Sequence, residues 1–414
     1  MKQTSRILSL LVLLIAVATV MTSCSMTTSS SYDNFLKAHE NSKNNTNQST
    51  TTGDDNKTPP IYNEIVIEGG DAVDVSLAAS AGLRSAVSIY ASYQTLSPAA
   101  GSGVIYKLEE DGSALVITNF HVVYSEAAAR ICNEIELYLY GMEGEDYAIP
   151  ATYVGGSAYY DLAVLQVSQS TVLKQAMSKG SVTAAKLADS DQTVVGQTAI
   201  AIGNAEAMGI SITTGIVSVD SEYIEMKSVT DGANTSFRVV RVDTAVNSGN
   251  SGGGLFNAQG ELIGIVNAKI INSSVENIGY AIPSNVVKAV TTNIIDHCLG
   301  KDCKTVMRPI LGITVINSGL STYYDTETGR LVRVEEISVH EVNAGGLGES
   351  ILKVGDVIKS VTIGEKTVTL TRQYQLIDFL LNAREGDVVT FVVLREGVEK
   401  TVSVTLTAAC ITAY

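Results

Sequence analysis

From Ile61 to about residue 408 the chain is written in short apolar runs, each closed by Gly, Asn or Asp, and that punctuation restricts it to a mainly β fold. Ala86-Val87-Ser88-Ile89-Tyr90, Gly103-Val104-Ile105-Tyr106, Ala114-Leu115-Val116-Ile117 and Ala163-Val164-Leu165-Gln166-Val167 read as strands. Asp111-Gly112 is the hairpin turn between two of them. With 35 Gly and no Trp, tight turns are plentiful and large aromatic anchors scarce. Helical signals are few: a short turn at Ser125 to Arg130, a helix from Ser284 to Leu299 with Ser284 as its cap, and a segment from Gln373 to Asn382 in which Leu376, Phe379 and Leu380 recur at helical spacing. No long repeat is visible. The β-rich stretch divides into residues 63–297 and 308–408, with a charged linker at 298–307 ahead of Arg308-Pro309.

The N-terminal residues differ in kind. Lys2 and Arg6 precede the uncharged run Ile7 to Met21, which falls short of the about 20 residues a spanning helix needs. Those flanks are the flanks of an export signal, so residues 1–23 read as a signal peptide. Met21-Thr22-Ser23-Cys24 resembles a bacterial lipobox, which would make Cys24 a lipidated new N-terminus; the other reading is an ordinary cleaved signal in which Cys24 is incidental. Residues 24–62 are rich in Ser, Thr and Asn and bury too little apolar surface to offset their conformational entropy. They read as a tether reaching roughly 30–36 Å. The expected location is the bacterial cell envelope, outside the cytoplasm, with membrane attachment through a lipid anchor.

Charge and metal-ligating residues exclude other classes. Lys and Arg number 28 against 43 Asp and Glu, for a formal net charge of −15, and removing Lys2 and Arg6 makes the chain more acidic still. Such a chain has no electrostatic grip on phosphate backbones, so no nucleic-acid partner is expected. Four His and five scattered Cys supply neither C-x-x-C nor H-E-x-x-H, and no metal or other cofactor is expected. Cys298 and Cys303 are near enough for a local bridge and Cys132 and Cys410 fit buried thiols; no disulfide is assigned.

The chemistry concentrates in Asn247-Ser248-Gly249-Asn250-Ser251-Gly252-Gly253-Gly254. A Ser framed by glycines is what a nucleophile requires when its backbone turns sharply and presents amide N–H groups to an oxyanion. Gly249-x-Ser251-x-Gly253 also matches the nucleophile elbow of α/β-hydrolases, but an elbow leads straight into a helix. Here Leu255 to Val266 reads as strand, turn, strand. The base follows by elimination: His39 lies in the tether, His297 beside Cys298 and His340 in a loop of the second block, whereas His121 ends the strand Ile117-Thr118-Asn119-Phe120. A lone His closing a strand is ordinarily structural; with Ser251 in the same block it becomes the candidate general base. Asp161 heads the buried strand Asp161-Leu162-Ala163-Val164-Leu165, where a capping role is the bland alternative and the triad acid the sharper one.

His121, Asp161 and Ser251 stand in the chain order of the chymotrypsin-type double β-barrel. Gly101-Ser102-Gly103-Val104-Ile105, Thr118-Asn119-Phe120-His121-Val122-Val123, Asp161-Leu162-Ala163, Ala201-Ile202-Gly203-Asn204, Thr214-Gly215-Ile216-Val217-Ser218, Gly249-Asn250-Ser251-Gly252-Gly253 and Ile278-Gly279-Tyr280-Ala281-Ile282-Pro283-Ser284 follow in the order of a known family's blocks. Over about residues 85–408 the chain resembles the HtrA (DegP/DegS-type) serine proteases with one C-terminal PDZ domain. The resemblance implies a serine endopeptidase acting on misfolded or regulatory envelope proteins. It also implies an oxyanion hole in the Gly249-Asn250-Ser251 segment, through the backbone N–H groups of Gly249 and Ser251, and a homotrimer. Ser248 and Gly254 stand where the family often has Pro, and Ser221 to Arg238 looks like a divergent or enlarged loop.

Two neighbours of Ser251 bear on specificity and control. Ala245, six positions earlier, stands where chymotrypsin-like enzymes set the base of the primary pocket, which predicts cleavage after small or medium apolar residues. Asn250 replaces the Asp that pairs with a freed N-terminus in many zymogens, so activation by trimming is not expected and switching by loop ordering is. In the second block, Ile310-Leu311-Gly312-Ile313 resembles a PDZ carboxylate-binding loop, with Leu311, Gly312 and Ile313 capturing a peptide C-terminus; a strand entry after Pro309 is the plain alternative. The rival to the enzyme is a catalytically silent scaffold or chaperone that binds C-termini.

Overall fold

The computed structural model describes residues 75–93, 96–268, 278–302 and 304–413. The expected signal peptide, the 24–62 tether, Cys24 and Cys303 lie outside the described residues. After helix α1 (Val75–Leu83), strands β1 (Ala86–Tyr93), β2 (Leu96–Leu108), β3 (Ala114–Thr118), β4 (Glu134–Leu139), β5 (Ile149–Ser157) and β6 (Leu162–Val167) close a barrel in the order β1-β2-β3-β6-β5-β4. Between β3 and β4 lies the one-turn helix α2 (Phe120–Val123). Helix α3 (Thr171–Ser178) follows β6, with the Ser170 hydroxyl accepting the Leu173 N–H. Strands β7 (Thr198–Gly203), β8 (Ser211–Lys227), β9 (Asn234–Val242), β10 (Gly254–Phe256), β11 (Leu262–Val266) and β12 (Gly279–Pro283) then close a second barrel in the order β7-β8-β9-β12-β11-β10. The second barrel repeats the strand order of the first, a duplication absent from the sequence.

Burial explains the run patterns. β3 and β11 are buried at every position because one face fills their own barrel and the other packs between barrels. Ile117, Val164, Ile202, Phe256, Ile265 and Ile282 share that common core with α4 (Ser284–Cys298). A strand buried on both faces reads as a continuous apolar run, whereas alternation survives where one face meets water. Pro283, not Ser284, occupies the cap position of α4; the Ser284 hydroxyl turns instead to donate to the Ala188 carbonyl at 2.7 Å. The expected linker is packed down: the Lys304 carbonyl accepts the Gly156 N–H, the Met307 N–H reaches Asn293 Oδ1, and Val306 is fully buried.

The C-terminal sheet is built from β13 (Ile313–Asp325), β14 (Arg330–Val342), β15 (Val357–Ile363), β16 (Val388–Arg395) and β17 (Val398–Thr405), in that order, with Lys366–Thr369 paired to β15. β16 alternates buried and half-buried positions, and Val361, Phe391 and Val393 form a core with Leu376 of α5 (Gln373–Leu380). Asp356, 1% exposed, is gripped by Arg395 Nε and Nη2, each at 2.6 Å. Burial opposes ionisation of Asp356, but the Arg395 hydrogen bonds outweigh it and hold the carboxyl below its usual range.

Candidate active site

β3 ends at Thr118, and the chain turns through Asn119 into α2, which carries His121. Asp161 enters β6 with a left-handed φ of +50°, a costly conformation for a residue with a side chain, held by the Asn119 amide donating to the Asp161 carbonyl at 2.8 Å. The Asp161 carboxylate is buried, and both oxygens are engaged. Oδ1 accepts the His121 backbone N–H at 3.0 Å, and Oδ2 lies 2.6 Å from His121 Nδ1. Oδ2 also accepts the Asn267 side-chain amide at 2.8 Å. With Nδ1 facing a carboxylate, the neutral imidazole keeps its proton there and leaves Nε2 as the basic atom.

Ser251 sits between β9 and β10 in a loop whose glycines are required by space. Gly249 and Gly252 have φ of +88° and +84°, and a Cβ on either would run into the Asn204 or Ser102 carbonyl. Ser102 of β2 clamps this loop from the first barrel. Its N–H donates to the Ser251 carbonyl (2.9 Å), its hydroxyl donates to the Gly249 carbonyl (2.7 Å), and the same hydroxyl accepts the Asn204 N–H (2.7 Å). Among the described residues the Gly249 and Ser251 N–H groups have no acceptor, as oxyanion donors require. The Asn250 N–H is spent on the Asn247 carbonyl at 3.1 Å, so of the expected segment Asn250 supplies no donor.

Ser251 Oγ accepts the Ala268 N–H at 3.2 Å, and among the described residues it makes no hydrogen bond to His121. Catalytic hydrogen bonds are often unformed without substrate and tighten in its complex. His121 and Ser251 line one cleft of about 420 Å³ with Ala99, Ala100, Val122, Val246 and Ala268. The expected pocket residue Ala245 lies outside it. Thr244 and Val246 are buried while Ala245 is exposed, its carbonyl tied to Thr213 at 2.8 Å, so strand-like alternation turns Val246 inward and Ala245 outward.

Sequence reasoning singled out His121, Asp161 and Ser251, and the structure brings them together. It passed over Asn267, and it noted Ser102 only inside a motif. Among the described residues the thiols of Cys132, Cys298 and Cys410 are buried, and burial pushes Cys132 up to about 11.

The Leu311-Gly312-Ile313 segment enters β13 with Gly312 at φ +71°. The Leu311 and Gly312 carbonyls are taken by the Gly348 and Asn343 N–H groups, whereas among the described residues the Leu311 and Gly312 N–H groups have no acceptor. A cavity of about 410 Å³ runs between residues 310–315 and α5, walled opposite by Tyr159, Tyr223 and Arg238 of the barrels. The β8–β9 hairpin, read from sequence as a divergent loop, is an arm that meets α5. Arg238, 2% exposed, lies 3.0 Å from Asp191 and 2.6 Å from Asp378 and stacks 3.5 Å over Tyr374. Asp220 pairs with Arg372 at 2.9 Å. Burial pushes Asp378 up to about 6 even against Arg238.

Residues 101–265 match the trypsin-like peptidase domain. The Do-like serine protease HtrA of Lactococcus lactis subsp. cremoris is 34% identical over 318 residues, covering 74% of this chain and 70% of that protein. The Bacillus subtilis protein of the same description is 34% identical over 313 residues; the chain spans 63% of its length. A solved structure of the HtrA-type protease AlgW with a tripeptide superposes with a TM-score of 0.52 at 25% identity, covering 82% of this chain and 97% of that one.

Proposed function

Because the chain belongs to the Do-like HtrA family of serine proteases, we propose that it is an exported endopeptidase hydrolysing misfolded or regulatory envelope proteins through Ser251, His121 and Asp161. The observation that carries this reading is the His121 Nδ1 to Asp161 Oδ2 contact of 2.6 Å beside a Ser251 whose own N–H, with that of Gly249, has no acceptor among the described residues. In the substrate complex His121 Nε2 takes the Ser251 proton as Oγ attacks the scissile carbonyl, and returns it to the leaving amine. The Gly249 and Ser251 N–H groups stabilise the oxyanion, each donor lowering the barrier by about 2.7–4 kcal/mol. Asp161 fixes the tautomer and offsets the imidazolium charge. Val246, Ala99 and Ala100 make an apolar wall, supporting cleavage after small or medium apolar residues.

The C-terminal sheet acts in this reading as a PDZ domain spanning 308–408. The N–H groups of Leu311, Gly312 and Ile313 receive a peptide carboxylate while the peptide adds to the β13 edge. Cys24 and the 24–62 segment would tether the protein to the membrane. The second reading, a silent scaffold, draws on the Ala268 N–H holding Ser251 Oγ away from His121. Casein turnover separates the two. Ser251→Ala should lower kcat by about 10⁶-fold while peptide binding persists; turnover unchanged by that substitution would exclude the triad.

A further inference from the structure

β13 is the outermost strand of its sheet and is much longer than a bound chain end needs. Its 13 residues at about 3.3 Å each span about 43 Å, whereas a tetrapeptide covers about 13 Å. Among the described residues, one partner is recorded for the outward backbone groups between Thr314 and Tyr324: Gln373 Nε2 donates to the Val315 carbonyl at 3.2 Å. Beyond a register shift between Asn317 and Gly319, β13 and β14 continue as a two-stranded hairpin to Asp325 and Arg330. Cross-strand pairing puts Leu320 opposite Glu335, Thr322 opposite Arg333 and Tyr324 opposite Leu331, all on one face. Glu335 on that face bonds Arg372 at the start of α5, so it is the face α5 covers farther down. The hairpin thus carries the floor of the cavity outward, and its apolar side chains lie open: Leu320 is 65% exposed, Tyr324 48% and Leu331 78%. The charges there cancel in place, Arg333 lying 3.1 Å from Glu335.

We propose that the whole β13 edge is one extended binding track, taking an unfolded polypeptide tail of about ten residues whose apolar side chains alternate and meet Leu320, Tyr324 and Leu331. The inference rests on the reading of residues 311–313 as a carboxylate-capturing loop. Continuity with that loop selects the occupant. A strand that fills the track from its inner end must finish there, so the occupant is a chain terminus lying antiparallel to β13. Backbone pairing along the edge supplies sequence-tolerant affinity, and the exposed apolar residues demand unfolded, apolar tails. Intact folded proteins hide such segments, so the track discriminates by folding state.

The test uses the full chain carrying Ser251→Ala, to prevent hydrolysis, and fluorescence anisotropy with synthetic peptides sharing the same last four residues. A dodecapeptide with Leu at alternate upstream positions should bind about tenfold or more tighter than the tetrapeptide. The triple substitution Leu320→Ser, Tyr324→Ser and Leu331→Ser should erase that gain and leave the tetrapeptide affinity unchanged. Equal affinities for the two peptides, or a gain that survives the triple substitution, would overturn the track. A tetrapeptide that binds no better than its C-terminal amide would instead sink the carboxylate reading on which the track rests. A self-association in sedimentation that the triple substitution abolishes, without any length gain, would give the face to a second copy and overturn the proposal.

Discussion

The two barrels share one strand order yet contribute unequal things. The first contributes His121 and Asp161, at strand ends only 40 residues apart and bonded directly to each other. The second contributes Ser251 and, through the β8–β9 arm, every described ion pair between the barrels and α5 or its cap. Each barrel also steadies the other's candidate catalytic group. Ser102 of the first holds the Ser251 loop, and Asn267 of the second holds Asp161. A duplicated architecture therefore becomes a single site only because the donors cross the cleft, so disturbance of either barrel should reach the chemistry of both.

The largest effect expected in the first barrel is that of Asp161→Asn, which keeps the shape but offers His121 Nδ1 the wrong partner; kcat should fall by about 10⁴-fold with KM little changed. A loss below about tenfold would move the acid elsewhere. In the second barrel Arg238→Leu leaves Asp378 buried without its cation, costing about 3–5 kcal/mol in calorimetric stability, while adding Asp378→Leu should restore most of it. Failure of the double variant to recover would mean that the arm acts through packing rather than charge. The crossing donors come next. Asn267→Ala removes a hydrogen bond to a charged group, worth about 1.5–3 kcal/mol, and should lower kcat by about 10–100-fold and alter the pH profile of kcat/KM. Ser102→Ala should act from the opposite side with a similar loss. If only one of the two matters, the reciprocity of the barrels is broken.

The smallest effect is a pH dependence. Asp378 is raised to about 6 in the folded chain from 3.8, so its proton is bound more tightly when α5 is docked. Its contribution to stability is full below the unfolded value and is lost as pH rises through about 6. The C-terminal unit should consequently resist thermal release from the barrels better at pH 5 than at pH 7, by proteolysis of heated samples, and Asp378→Asn should flatten the difference. A steeper dependence in that variant would place the titrating group elsewhere.

Much of the candidate site is legible in the sequence. Short apolar runs require strands wherever turn residues interrupt them, Ser251 advertises itself by the glycines its loop cannot replace, and scarcity together with Ser251 in the same block points to His121. The β13 hairpin shows where legibility ends: Leu320, Tyr324 and Leu331 alternate like core residues, and only the sheet order leaves them facing outward. Spacing likewise pointed to Ala245, but the local alternation turned Val246 to the cleft instead. The sequence by itself determined the β architecture and pointed to Ser251 and His121 as the candidate nucleophile and base, because strand period, backbone freedom and side-chain acidity are local properties. Only the tertiary structure decided that Ser102 and Asn267 cross between barrels, that residues 221–238 form an arm, and that two unlike stretches close with one strand order. Those outcomes depend on which distant groups satisfy one another's hydrogen bonds once the barrels close, and no local period records that choice.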